Sequence, residues 1–198
     1  MTTPLPAFKG TYFFPGAGME GGYIGEWVET LQNAGIGNVQ AVDPALWSVG
    51  KTNDVLRVPF EKSVRDDEAA PLSRQFSTEG EQFNLFGYSY GSLQAAQAAM
   101  DYADRGGKVD HLILLGSPIQ QEFLDQHRAH PNIGSVFVQD LPGDPVYAGM
   151  DQQDMFKAAL ELAGKETYDG HRYYNDTGPK AQRRKAAYAE FLYRNRVR

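Results

Sequence analysis

The chain contains no cysteine. That absence removes thiolate nucleophiles, disulfides and the cysteine-bearing zinc sites together, and it leaves the redox compartment open. Positive charge is in deficit: 19 Lys and Arg against 25 Asp and Glu give a net charge of -6. Neutralising phosphates takes a concentrated basic surface, so no nucleic-acid partner is expected. Long apolar runs are missing too. No stretch approaches the roughly 20 residues of a membrane-spanning helix, so no integral membrane association is expected. The opening MTTPLPAFKGTYFF lacks the charged start and apolar run of a signal peptide. Cytoplasmic synthesis, with signal-independent export as the alternative, is the expectation. Histidine is scarce, with four in all, so any chemistry that needs an imidazole has few candidates.

What remains is an ordinary globular composition. In 198 residues, 41% are hydrophobic and 12% aromatic, enough to bury one continuous core, and 1–198 reads as a single domain. Short β-branched and aromatic runs alternate with longer segments of helical period. That alternation predicts an α/β fold, a mainly parallel central sheet flanked by helices on both faces. Strands are expected at 10–14, 38–42, 82–86, 110–115 and 135–139. Ile24, Trp27, Val28 and Leu31 stand at i, i+3, i+4 and i+7 and predict a helix over 23–34, ended by Gly35. Alanine-rich 93–103 suits a helix pressed on a sheet, and further helices are expected over 119–129, 151–163 and 180–194. The segment 52–78 keeps no period. It reads as a strand fragment plus an excursion, either a lid or a solvated connection.

In FNLFGYSYGSLQAAQAAM, Gly87, Ser89 and Gly91 form a GxSxG spacing between an apolar strand and an alanine-rich helix. A nucleophile on a sharp strand-to-helix turn has a strained backbone, and side chains beside it would collide with the packed strand and helix, so glycine is needed on both sides. The helix that follows aims its N-terminus, and the Tyr90 N–H, at the place where an oxyanion would form. PGAG near the start is glycine-rich, but it lacks the lysine of a phosphate loop and the full GxGxxG spacing.

GYSYGS followed by HLILLGSP, with FFPGAG near the start, VQDLPGDPV late and a histidine before the last helix, resembles the α/β-hydrolase superfamily over most of the chain. The small esterases and cutinase-like lipases are the most similar in flavour. Few residues precede the FFPGAG strand, so a minimal core without the two leading strands of larger members is expected. The resemblance implies the chain order Ser, acid, His, with the acid after a strand and the histidine in a late loop. His111, His127 and His130 precede the late acids and are expected to be structural or solvated, which leaves His171. Asp144 fits the GDPV pattern and could reach the imidazole from one turn past the strand. Asp140 is the alternative acid, otherwise bonding N–H groups of its own Asp-x-Pro-Gly turn, and Asp169 is a remote third. The family's oxyanion donor maps to the residue after Pro15-Gly16, the Ala17 N–H, with Gly18 and Met19 as alternatives.

The implied activity is cleavage of carboxylic esters through Ser89, Asp144 and His171, on a small-molecule or lipid acyl ester. Gly16, Gly18, Met19 and Tyr88 are candidate substrate contacts. Tyr88, Tyr90, Tyr173 and Tyr174 either line an acyl pocket or fill the core. No His, Asp or Glu cluster has metal-ligand spacing, so no metal and no cofactor are expected. The basic segment PKAQRRKAAYAEFLYRNRVR, with Tyr188, Phe191 and Leu192 on one side, reads as a packed helix with a solvated basic face. Peripheral contact with an anionic membrane through it is the alternative, and it would favour a phospholipase-type toxin. A thioesterase and a catalytically silent binding domain are the other readings.

Overall fold

A computed structural model describes residues 5–58, 71–164 and 170–198. Five strands make one parallel sheet: β1 (Gly10–Phe14), β2 (Val39–Ala41), β3 (Phe83–Tyr88), β4 (Val109–Leu115) and β5 (Ile133–Gln139), in the order β2-β1-β3-β4-β5. This is the expected α/β architecture. Crossover helices cover both faces of such a sheet, so its inner strands are apolar on both sides. Every residue of β1 and β3 is buried.

The alternation of side chains divides the core. Tyr12, Phe14, Phe83 and Leu85 face α5 (Tyr90–Asp104) and α6 (Gln121–Ala129), whereas Phe13, Phe86 and Tyr88 face α1 (Tyr23–Asn33) and α8 (Pro179–Arg194). Thirteen of the fifteen residues of α5 are buried. Its alanines at 95, 96, 98 and 99 therefore allow close approach to the strands rather than marking one apolar stripe. On the other face, the Trp27 ring meets Phe13, Phe86, Tyr174 and Tyr188 at 5.0 to 6.5 Å between centroids. One cation is buried there. Lys185 Nζ donates to Glu26 Oε2 at 2.5 Å and to the Asp176 carbonyl at 2.9 Å, joining α8 to α1. The basic face of α8 is thus not wholly solvated.

The segment 52–78 departs from expectation in its described part. Helix α3 (Lys51–Arg57) opens it in place of a strand fragment, α4 (Leu72–Gln75) follows, and Ser77 forms an isolated antiparallel bridge with Lys9. Residues 59–70 of that segment lie outside the described residues. A short α2 (Pro44–Trp47), capped by Asp43 accepting the Ala45 N–H at 2.9 Å, was not expected either. Helix α7 (Gln152–Gly164) lies against α3. Val146, Met150, Met155 and Ala158 form a small third cluster, with Val58 packed on it. Among the described residues, no helix is long and apolar enough to cross a membrane.

Candidate active site

Strand β3 ends at Tyr88 and α5 begins at Tyr90, so Ser89 alone makes the turn, with φ 53° and ψ -129°. A positive φ is costly for a side-chain-bearing residue and persists only where its surroundings hold it. Here the Ser89 N–H donates to the Leu115 carbonyl at 2.9 Å, and the Ser89 carbonyl accepts from the Ser92 N–H at 2.9 Å. The flanking glycines are required by contact. A Cβ on Gly87 would sit 2.3 Å from the Ser92 Cα, and one on Gly91 would sit 2.1 Å from the Pro15 carbonyl oxygen.

Ser89 Oγ lies 2.7 Å from His171 Nε2, and His171 Nδ1 lies 2.7 Å from Asp144 Oδ2. The Asp144 side chain is fully buried, while His171 stays slightly exposed. The Asp144 Oδ1 accepts the Val146 N–H at 2.9 Å, an Asx turn that accounts for the GDPV pattern. The histidine arrives on a loop pressed against the acid's own turn: a Cβ on Gly170 would meet the Gly143 carbonyl at 2.4 Å and Asp144 N at 2.6 Å. Tyr88 ties the same loop to the sheet, its hydroxyl donating to the His171 carbonyl while the two rings stack at 5.9 Å. Burial pushes the Tyr88 phenol well above its usual pKa of 10, so it remains a donor.

Of the alternative acids, Asp140 accepts the Ala148 N–H at 2.8 Å and thereby closes the loop after β5, instead of bonding its own Asp-x-Pro-Gly turn. Asp169 lies outside the described residues. The other histidines are occupied elsewhere. His127 is fully buried, with each ring nitrogen 2.7 Å from a carbonyl oxygen, those of Phe123 and Ala96. His130 sits 3.2 Å from Asp104, and His111 is buried at the end of the sheet away from Ser89.

The PGAG segment follows β1. The Gly16 carbonyl accepts the Met19 N–H at 2.8 Å, and Gly18 has φ +82°, the positive value that the third residue of a type II turn needs. The Gly16 N–H donates to the Tyr23 hydroxyl at 2.9 Å, and the Gly18 N–H to Asp54 Oδ2 at 2.8 Å. Between them, the Ala17 N–H has no acceptor among the described residues. Tyr23 is itself buried, which pushes its phenol up to about 12.

These groups share a cavity of about 410 Å³. Gly16, Ala17, Tyr88, Ser89, Tyr90 and His171 form its floor. Val55 and Val58 of the α3 segment, with Val146, Met155 and Ala158, form an apolar wall, and Glu20, Lys51, Arg172 and Asn175 a polar one. Gly18 and Met19 do not line it, contrary to expectation: the Gly18 N–H is turned to Asp54, and Met19 is packed in the core. Tyr173 and Tyr174 do not line it either. Tyr174 fills the core beside Trp27 and donates to Gln139 Oε1 at 3.0 Å, and Tyr173 carries the Arg184 guanidinium 3.8 Å above its ring. Among the described residues, no group of His, Asp and Glu is placed to hold a metal ion.

A family model described as alpha/beta hydrolase matches residues 66–150, a span that contains the elbow and Asp144 and ends before His171. The match supports membership of the α/β-hydrolase superfamily. Among the described residues the sheet has five strands, all parallel. Neither the curated proteins nor the solved structures contain a match to the chain. Sequence reasoning missed three residues that hold this site together. Tyr23 and Asp54 anchor the turn after β1, and Gly170 lets the histidine loop touch the acid loop. The spacing offered a signal only for Tyr23, which begins the periodic helix α1.

Proposed function

We propose that this α/β-hydrolase is a serine hydrolase of carboxylic esters or related acyl bonds, thioesters included. The observation that carries the reading is the continuous hydrogen-bonded chain from Ser89 through His171 to a buried Asp144, at 2.7 Å for each step, opening on one cavity. Ser89 Oγ attacks the acyl carbon and its proton passes to His171 Nε2. Asp144 keeps the other imidazole proton on Nδ1 and stabilises the cation that forms. Negative charge on the carbonyl oxygen is received by the N–H groups of Ala17 and Tyr90, one from each side of Ser89. Collapse of the tetrahedral intermediate expels the alcohol or thiol, which takes the proton from His171. Water then repeats the sequence on the acyl-enzyme.

The apolar wall suits the acyl chain. An added methylene contributes up to about 0.8 kcal/mol when buried, so kcat/KM should rise along a p-nitrophenyl ester series until the wall is covered. A second reading, a lipase or phospholipase working at a lipid surface, has one observation in its favour. Leu56 of α3 and Phe156 and Leu160 of α7 are exposed on the two helices that wall the cavity. A jump in rate above the micellar concentration of the substrate would favour it.

The deciding experiment is labelling with a fluorophosphonate probe, since only an activated serine reacts readily. Wild type should label at one site and hydrolyse an activated ester. A folded Ser89→Ala protein should do neither, with kcat reduced by about 10³-fold or more. Near-normal turnover in folded Ser89→Ala would remove the reading.

A further inference from the structure

Asp54 is the one carboxylate in the described core that takes no part in the chain from Ser89 to Asp144 yet touches the site's framework. It is 0% exposed. A buried carboxylate is costly unless its oxygens are hydrogen-bonded, and all of its partners here are neutral donors. Oδ2 accepts from the Gly18 N–H at 2.8 Å and from the Ser48 hydroxyl at 2.6 Å, and Oδ1 accepts from the Val49 N–H at 3.0 Å. Ser48 and Val49 belong to the link between α2 and α3, so this contact fastens α3 to the turn after β1.

The contact is selective. The Gly18 N–H belongs to the central peptide of the Gly16–Met19 turn, the group whose orientation separates a type II turn from its type I counterpart. Gly18 is at φ +82°, and a Cβ there would meet the Lys51 side chain at 3.0 Å, so α3 lies directly against the turn. On the other side, the Gly16 N–H is held by the Tyr23 hydroxyl. The Pro15–Gly16 and Ala17–Gly18 peptides are therefore each tied to a buried side chain, and the peptide between them carries the Ala17 N–H, with Ala17 lining the cavity beside Ser89.

We infer that Asp54 is a positioning residue, its carboxylate fixing the turn that presents the Ala17 N–H to the reacting carbonyl oxygen. This inference rests on the reading of Ser89 as the nucleophile. A donor set in advance where charge develops stabilises the transition state without reorganising, and a loosened turn loses that advantage while leaving ground-state binding intact. The Tyr23 anchor alone leaves the central peptide free to rotate.

Asp54→Asn keeps the shape but offers one acceptor oxygen to three donors, so the Gly18 bond is lost or weakened. In that variant kcat on a p-nitrophenyl ester should fall about 10- to 100-fold with KM changed less than about threefold. Inhibition by an alkyl boronic acid, which forms a tetrahedral adduct on the serine, should weaken by the same factor. Ser48→Ala removes the other donor to Oδ2 but leaves the carboxylate and its Gly18 bond in place, and it should stay within about threefold of wild type. Amide hydrogen exchange gives a readout independent of turnover. Protection of the Gly18 amide should drop in Asp54→Asn while amides of α5 keep theirs. Equal losses in Ser48→Ala and Asp54→Asn would assign Asp54 to the fold alone, as would an unchanged boronate affinity in a folded Asp54→Asn. If Asp54→Asn does not fold, a Ser48→Ala protein that loses kcat or Gly18 protection overturns the inference, and one that keeps both supports it. Loss of Gly18 protection in Asp54→Asn, beside a wild type that cleaves no acyl ester, would leave the anchor standing and remove the serine-hydrolase reading instead.

Discussion

The two halves of this site are held in different ways. Ser89 sits where a buried strand becomes a buried helix, and its strained φ of 53° is enforced by backbone packed against backbone on both sides. His171 comes from a turn-rich stretch near the surface, held by single contacts: the Asp144 carboxylate, the Tyr88 hydroxyl and the close approach of Gly170 to Gly143. The nucleophile is therefore part of the fold, whereas the base is docked onto it. Damage at the elbow should cost stability. Damage at the histidine loop should cost activity in a protein that still folds.

The sharpest test is Gly91→Ala. Its Cβ would lie 2.1 Å from the Pro15 carbonyl oxygen and 2.2 Å from that of Phe14, so β1 and α5 would have to separate. The expected loss is about 3 kcal/mol or more, read as a lower urea midpoint. Gly16→Ala should be tolerated, because its Cβ meets nothing closer than 3.5 Å. Equal midpoints for Gly91→Ala and wild type would dissolve the contrast between the two halves.

Next in size, Asp144→Asn should fold normally and lose about 10⁴-fold in kcat, because the imidazole is left in the wrong tautomer. Asp140→Asn should retain most activity and lose a little stability, since Asp140 only closes the loop to Ala148. A reversed ranking at matched melting temperature would move the acid to Asp140. Tyr88→Phe removes one tie between sheet and histidine loop. A hydrogen bond of this kind contributes about 1 kcal/mol, so kcat should fall about fivefold at nearly constant KM. If both parameters stay at wild-type values, Tyr88 is core filling alone.

The smallest expected effect concerns pH and lies outside the site. Burial depresses the pKa of His127 and of His111 below the ordinary 6.5. The unfolded chain takes up protons near pH 6.5 while the folded chain resists them. Stability is thus complete above that pH and falls as the pH drops toward the depressed folded values. Urea midpoints should be lower at pH 5 than at pH 8. A flat profile would mean that the two carbonyl oxygens facing His127 outweigh its burial.

Legibility in the sequence followed the same division. All five strands stand within a few residues of where their alternation placed them, and β1 coincides with its expected range. The elbow was readable because two glycines and a serine at fixed spacing have few other uses between a strand and a helix. His171 was reachable only because histidines are few and the family's chain order excludes the rest. Helices α2, α3 and α4 escaped notice because four to seven residues are too few to display a 3.6-residue period. Asp54 was invisible for a related reason: the fully buried position of α3 carries a carboxylate, so the usual signal of an inward face is inverted. The expectation that Gly18 and Met19 face the substrate failed because a glycine-rich segment does not reveal which of its N–H groups is already committed to a side chain 36 residues away.

The strand order has a consequence of its own. From β1 the chain leaves through α1 on one face toward β2, and from β3 it leaves through α5 on the opposite face toward β4. At the carboxyl ends of these two neighbours the connections diverge, and a crevice opens at that switch point by topology alone. Pro15 to Ala17 and Ser89 are its two lips. The walls above belong to segments that do not build the sheet, α3 with Val55 and α7 with Met155 and Ala158. Chemistry and selectivity are therefore separable in this molecule. A larger or more polar substrate can be accommodated by recutting α3 and α7, with the crevice itself untouched.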